Sequence, residues 1–599
     1  MQKTYHYMIS FLNNRPVILC RSVILLLLLS FHHTYSQKVQ LPFFDDFSQY
    51  TGPNPNPKLW INGGTLVNNS FAINQPSMYV ATFDGRNAAG LPYDYTNQLA
   101  YGRTDTLTSQ PIEIGSYQVA DSLYLSFFWQ AKGYGDLPDS DDTLIVSFLN
   151  NKKSWIPVWK QNGNYRSDSF KQQLIAIKNQ DFLHDNFQFR FETKGRQSGP
   201  FDMWHIDYIY FNKNRNYQDI YSKDIACTKF TTSYLKRYSA MPLRQYMVNP
   251  AAETYDTLRA EMFNLQDIGN FVPYRWKIID TVSNQVYYDA PAPFFGNLPP
   301  GITGSRQLII PPVTQFGSTK AVLKFQLNIS TTDNVQPLLP GYDLSSNDSI
   351  STYTFLDDFY AYDDGSAEIG ADFDQNLGKA AIQYILSKPD SIGAVRFNFS
   401  PYFKDISGQF FLLQIMESAG GMPGKIIHEQ SIKVAYGKGI NGFTEYPLNR
   451  NIALKDTFYV AWTKLTSDVI AIGVDKNTPQ FANRIFYNNG SEWIKNTSVK
   501  GSLMVRPVIA TKAQQNSITA NEEPVNGGLI AYPNPTTGIL QWNLSNIKHI
   551  TIFNATGVTV LSEDVTTQEI NIETLPSGMY FVNFSDGKKN FLRKIMVLH

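Results

Sequence analysis

Apolar and polar positions alternate along most of the chain, and turn residues separate the runs. SLYLSFFWQAKG (122–133), TLIVSFLNNKKSWIPVWKQNG (143–163) and FQFRFETKG (187–195) show the pattern. A period of two predicts half-buried strands, and amphipathic runs of helical period are nearly absent. Asn150-Asn151, between an apolar run and a Trp-rich one, predicts a hairpin. The 40 Phe, 35 Tyr and 9 Trp suit pleated surfaces with one face buried. The predicted fold class is therefore all-β, with several β-sandwich domains in tandem.

Breaks in the pattern divide the chain. Its 599 residues exceed what one core organises. A first block spans 40–213, opening with LPFFDDFSQY and closing with GPFDMWHIDYIYFN. The polar stretch 212–224 links it to a second block, 225–352, of immunoglobulin or fibronectin size. A third block spans 353–511, a linker without apolar periodicity covers 512–528, and a last block covers 529–599. Short openings alike, FFDDF at 43–47 and FLDDF at 355–359, hint at a repeated architecture.

Charge and leader change this picture in two ways. Lys+Arg and Asp+Glu both number 51, with no basic run, which speaks against a polyanion binder. RSVILLLLLSF (21–31), after Lys3, Arg15 and Arg21, reads as the core of a signal peptide over residues 1–36, cut between Ser36 and Gln37. No second apolar stretch of spanning length follows, so no transmembrane segment is expected in the mature chain. After cleavage only Cys227 remains, which makes no internal disulfide and reads as a small buried hydrophobe.

Three resemblances follow from particular residues. FFDDFSQY, YVATFDGRNAAGLPY (79–93), DDTLIVSFLNNKKSWIPVW (141–159) and FDMWHIDYIYF (201–211) follow one another in the first block. In that order they resemble the jelly-roll domains of the MAM and cleaved-adhesin kind in secreted Bacteroidetes proteins. The third block, with YDDGSAEIG (362–370) and DTFYVAWTKL (456–465), is similar to a second jelly-roll-like domain of such proteins. The last block carries YPNPTTGIL, ITIFNATGVTVLSEDV (550–565) and INIETLPSGMYFVNFSDGKKNFLRKIMV (570–597). It resembles the type A C-terminal sorting domain of the type IX secretion system, on Pro533, Asn534, Pro535, Gly538, Gly557, Gly578 and Tyr580. The prolines cannot donate to a ladder, so strand pairing is expected only after them, with the three glycines in turns. The resemblance implies export by the type IX secretion machinery, loss of the sorting domain by a cut within 511–530, and a product released or held at the outer surface.

Catalytic signatures are absent from the sequence: there is no HExxH, GxSxG or Gly-rich phosphate loop. His205, in MWHID, reads as a structural histidine among strand residues. Carboxylates offer more. Asp45 and Asp46 could meet Asp202 or Asp207 where terminal strands come together, and Asp363 and Asp364 could meet Asp475. Hard oxygen donors from separate strands suit Ca2+, the one cofactor expected. Trp60, Tyr93, Tyr95, Tyr134, Trp155 and Trp159 are candidates for an aromatic contact surface. The sequence thus points to a secreted or surface-attached, adhesin-like binding protein for a glycan, matrix or surface-protein ligand. The alternatives are a secreted peptidase or glycosidase with scattered catalytic residues, or a structural envelope or gliding component.

Overall fold

The computed structural model describes residues 38–49, 52–230, 232–292, 296–331, 342–372, 378–488, 490–510, 529, 531–533, 536–554, 557–588 and 590–598. Ser36, Gln37, the 512–528 linker, Asn534 and Pro535 lie outside the described residues.

Alternation carries the first block into two antiparallel sheets. Its strands are β1 (Phe43–Asp45), β2 (Trp60–Gly63), β3 (Leu66–Asn68), β4 (Val80–Phe83), β5 (Tyr101–Ser109), β6 (Tyr124–Ala131), β7 (Thr143–Leu149), β8 (Trp155–Asn162), β9 (Lys171–Ala176), β10 (Phe189–Arg196) and β11 (Trp204–Asn212). One sheet runs β3-β4-β11-β6-β9 with β1 also on β11, and the other runs β2-β5-β10-β7-β8. Every second residue faces the space between them, where Phe127 and Phe191 meet edge to face at 4.9 Å. Asn150-Asn151 opens a loop rather than a two-residue turn: Asn150 Oδ1 accepts from the amides of Lys152 (3.0 Å) and Ser154 (2.8 Å).

β11 decides where the chemistry sits. It pairs through Trp204–Ile206 with β4 and through Ile209–Phe211 with β1. A register shift against β6 falls between Asp207 and Tyr210, and Tyr208 takes φ 52°. A bulge re-aims side chains locally, and here it leaves Asp207 at the seam between β4 and β1.

A second sandwich follows. Ile225–Phe230, Thr257–Asn264 and Thr303–Ile309 face a sheet of Val286–Pro291, Tyr274–Asp280, Ala321–Ile329 and Ser349–Leu356. The sequence reading put only strands and turns here; 232–256 instead carries helical turns at Leu243–Tyr246 and Pro250–Glu253. Asn249 caps the second by accepting from the Ala252 amide, with Pro250 at the first helical position. This segment reaches the third block, where Arg244 donates to both Asp390 oxygens at 2.7 and 2.6 Å and Tyr238 Oη donates to the Ile385 carbonyl at 2.8 Å.

The third block opposes a six-stranded sheet, which includes Phe410–Ala419 and Thr457–Lys464, to Thr444–Leu454, Asp390–Phe397 and Val505–Ile509. One hydrophobic core runs from Ile225 through Leu356 to Ile509, across the expected boundary at 352–353. Cys227 is buried in it. The first block touches the third at Ile440, which packs on Leu66, Phe71 and Met203, and at Phe201, whose ring meets Tyr402 at 5.2 Å.

The last block is a small sandwich of its own. Ala531–Tyr532, Ile539–Trp542 and Glu569–Asn571 cover Thr559–Asp564, His549–Asn554, Gly578–Ser585 and Asn590–Val597. Its core holds Trp542, Ile550, Tyr580, Val582 and Phe584. Two expectations are corrected. Pairing begins before Pro533, since Ala531 and Tyr532 pair with Trp542 and Gln541; the proline ends that strand rather than preceding the first one. Gly578 opens a strand instead of making a turn, whereas Gly557 (φ 79°) does sit in a turn.

Candidate functional site

Of the six aromatics, most serve packing. Trp60 is buried, and its Nε1 donates to Asp45 Oδ2 at 2.6 Å. Trp159 packs on Phe127 and Trp129 at the edge of the first core. Tyr93 Oη donates to Asp105 Oδ1 at 2.8 Å, and Tyr134 lies under Lys229 of the second block. Tyr95 is half-buried. Trp155, at the start of edge strand β8, is different. The Arg190 guanidinium stacks 3.9 Å from its ring, and Arg190 Nε is held by Thr108 Oγ1 at 2.9 Å. Arg190 pairs with Thr108, which pairs with Ile61, and Ile61 is 50% exposed. The outer face of the five-stranded sheet thus presents an indole, a fixed cation and the apolar Ile61 together.

The carboxylates form three groups. Asp45 accepts from Trp60 and from the Phe47 amide, and burial pushes its carboxyl up to about 7. Asp46, beside it, accepts from Ser48 and Asn347. Asp207 accepts from the Ser77 amide (3.1 Å) and hydroxyl (3.0 Å), and the same hydroxyl reaches the Asp46 carbonyl at 3.3 Å. Burial raises Asp46, and raises Asp207 well above the usual carboxylate range. Asp45, Asp46 and Asp207 therefore share one seam.

Asp202 does not join them. It lies before β11, five residues ahead of Asp207, with φ 58°. Its neighbours are Asp139 and Asp142, all three with carboxyl oxygens within 4.8 Å of one another. Burial lifts Asp202 to about 7, and the Arg196 amide donates to it at 2.8 Å. Carboxyls this close share a proton or a cation; a glycosidase pair stands about 5–9.5 Å apart to leave room for sugar and water.

In the third block Asp363 is taken by an ion pair with Arg506. Asp475 Oδ2 accepts from the Asp364 amide and from Thr478 Oγ1, both at 2.7 Å. Glu368 sits beside them, accepting from the Lys476 amide (2.7 Å) and Asn477 Nδ2 (3.3 Å). Burial raises both Glu368 and Asp475 well above their usual values. His205 is fully buried between Thr82 Oγ1 (2.9 Å) and the Lys132 carbonyl (3.2 Å), and burial pulls it down to about 4.

Sequence reasoning missed Asp139, Asp142, Arg190, Asp224 and Asn347. The acidic loop GDLPDSDDT (135–143) was a usable signal for the first two. Nothing local marks Asn347, which matters only because it faces another block.

These features define a multi-sandwich β-protein with a separate small terminal sandwich. Residues 530–598 match the family model described as the secretion system C-terminal sorting domain. The protein is accordingly secreted or attached to the cell surface. Among the described residues no helix is long and apolar enough to cross a membrane. No curated protein sequence matches the chain. Among solved structures, Bacteroides uniformis β-glucuronidase 2 aligns at TM-score 0.21 and 12% identity, over 46% of this chain and 29% of that one. A putative β-galactosidase from Bacteroides fragilis aligns at 0.20 and 10%, over 49% and 40%. The carbohydrate-binding module CBM28 aligns at 0.17 and 9%, over 26% and 88%. Likenesses of this size carry no weight for the activity.

Proposed function

We propose that this is a modular, adhesin-like binding protein, and that the outer face of the β2-β5-β10-β7-β8 sheet contacts a glycan or a protein of a neighbouring surface. The observation that supports this most is the Trp155–Arg190 stack. A half-buried ring and a guanidinium locked by Thr108 offer a flat apolar surface beside a cation, with little side-chain freedom left to lose on binding. The sorting tail delivers such a surface to the outside of the cell. The test is binding of the purified chain to arrayed glycans and immobilised matrix proteins. Trp155→Ala and Arg190→Ala should each weaken binding about thirtyfold, the scale of a contact worth about 2 kcal/mol, with thermal unfolding unchanged. Binding that survives both substitutions refutes the assignment to this face. Turnover of a bound glycan or peptide moves the protein to the hydrolase reading.

A further inference from the structure

The outer face of the β2-β5-β10-β7-β8 sheet carries an excess of positive charge. Alternation sorts β10: Phe189, Phe191 and Thr193 are buried toward the core, so Arg190, Glu192, Lys194 and Arg196 share the opposite face. Register carries that face across the sheet. Glu192 pairs with Ile145, which pairs with Lys160, while Lys194 pairs with Arg103 and Arg196 with Tyr101. Among these strand positions five are cations (Arg103, Lys160, Arg190, Lys194, Arg196) and one, Glu192, is a carboxylate. No basic run marks them in the sequence, because β10 gives every second position to the core and the other cations come from β5 and β8.

The charges are not all free. Glu192 lies 3.3 Å from Arg103 and 4.0 Å from Arg190, and offsets one of them. Beyond Tyr101 the sign changes: Asp139, Asp142 and Asp202 gather there, and Tyr101 Oη donates to the Asp141 carbonyl at 2.6 Å. Arg196 belongs to that end, where its amide donates to Asp202 and its charge acts on Asp142. The open stretch is therefore Arg103, Lys160, Arg190 and Lys194. The Arg103 side chain is 61% exposed, and Lys160 and Lys194 are exposed.

Shape narrows the ligand further. Two cations of β10 lie over rings: Arg190 over Trp155 at 3.9 Å, and Lys194 over Tyr101 at 5.1 Å. Arg190 and Lys194 are four residues apart, about 13 Å along the strand. One small anion does not reach both, whereas an extended chain with repeated charges does. A charged sugar unit offers an apolar ring face beside an anionic group, which matches a ring beside a cation.

We propose that this face binds an anionic polysaccharide, with Arg103, Lys160, Arg190 and Lys194 on its carboxylates or sulfates and Trp155 and Tyr101 against its sugar rings. The proposal rests on the reading of this face as the contact surface, and adds the charge and the extended shape of what it contacts.

The experiment measures binding of the full chain to polygalacturonate, to its fully methyl-esterified form and to chondroitin sulfate. The ester keeps the rings and loses the charges. Polygalacturonate should bind about tenfold more tightly than the ester, and its binding alone should weaken as salt screens the exposed charges. A preference for chondroitin sulfate assigns the cations to sulfate, and the reverse preference assigns them to carboxylate; either order keeps the proposal. Arg103→Gln and Lys194→Gln, both at exposed positions, should each weaken polygalacturonate binding about threefold, the scale of an exposed ionic contact, and leave the ester unaffected. Glu192→Gln should tighten it by about the same factor. Equal affinity for acid and ester, still lost in Trp155→Ala, overturns the anionic ligand and leaves the contact face standing. Affinity that ignores both Trp155→Ala and Arg190→Ala removes the face itself. Tighter binding of polyglutamate or of a DNA duplex than of either charged glycan overturns the polysaccharide.

Discussion

His205 gives the sharpest test of the buried polar interior of the first sandwich. Its ring lies between Thr82 and the Lys132 carbonyl, and Gly133 (φ 55°) leaves room for it: a Cβ there would come 2.5 Å from His205 Nε2. Burial holds its pKa at about 4, against 6.5 in an unfolded chain. Below pH 6.5 the unfolded chain takes up a proton that the folded one refuses, so stability falls as pH falls, and the loss is complete below about 4. The 2.5-unit gap at about 1.4 kcal/mol per unit amounts to about 3 kcal/mol. Asp45 acts with the opposite sign: raised to about 7, it contributes stability that is full below 3.8 and lost as pH rises through 7. The two slopes offset each other in the native protein, so the readout must be a difference. Denaturant unfolding of wild type and His205→Gln, at pH 7 and at pH 4, removes the shared carboxylate terms. Wild type should lose about 3 kcal/mol more than the variant on acidification. A difference below about 1 kcal/mol would show that the imidazole is hydrated or charged in the fold, against the reasoning here.

Three further outcomes are expected. Arg237 Nε donates to Glu253 Oε2 at 2.9 Å, with Glu253 only 3% exposed, so Arg237→Ala leaves a buried carboxylate and should cost about 3 kcal/mol in denaturant unfolding; Glu253→Gln in that background should recover most of it. Ile440→Asp places a charge against Leu66, Phe71 and Met203, and should raise the radius of gyration in small-angle scattering by parting the first and third blocks; an unchanged radius would show that the contact is dispensable. Trp542, 1% exposed and 5.3 Å from Phe584, anchors the tail core, so Trp542→Ala should cost the tail about 3–5 kcal/mol and leave the protein inside the cell envelope on fractionation; normal export would detach sorting from the folded tail.

The local pattern carried the fold class. Runs such as Phe187–Gly195 and Gly578–Ser585 bury every second residue, and period two reads directly as strands. The tail was legible as a unit because its turns, glycines and alternating Tyr580, Val582 and Phe584 are consecutive in the chain. The helical turns of 232–256 were not legible. They are four residues each, too short to show a period, and they are held by contacts such as Arg244–Asp390, 146 positions apart.

The candidate sites divide along the same line. Sequence alone marked Asp45, Asp46 and Asp207 as partners because the strands that carry them pair, and pairing partners can be guessed from the ends of a sandwich. It set Asp202 in the wrong company, since Asp202 sits before β11 with a left-handed φ of 58° and meets the Asp139–Asp142 loop instead of the seam. It also could not tell Trp155 from Trp60. Both are Trp in alternating runs, and only the face that Trp155 takes on β8, over Arg190, leaves it half-buried instead of in the core. Asn347 joins Asp46 across 301 residues. Composition and period determine which backbone forms; which distant polar groups are buried together is decided by how the blocks dock, because burial is a property of the surface a residue meets.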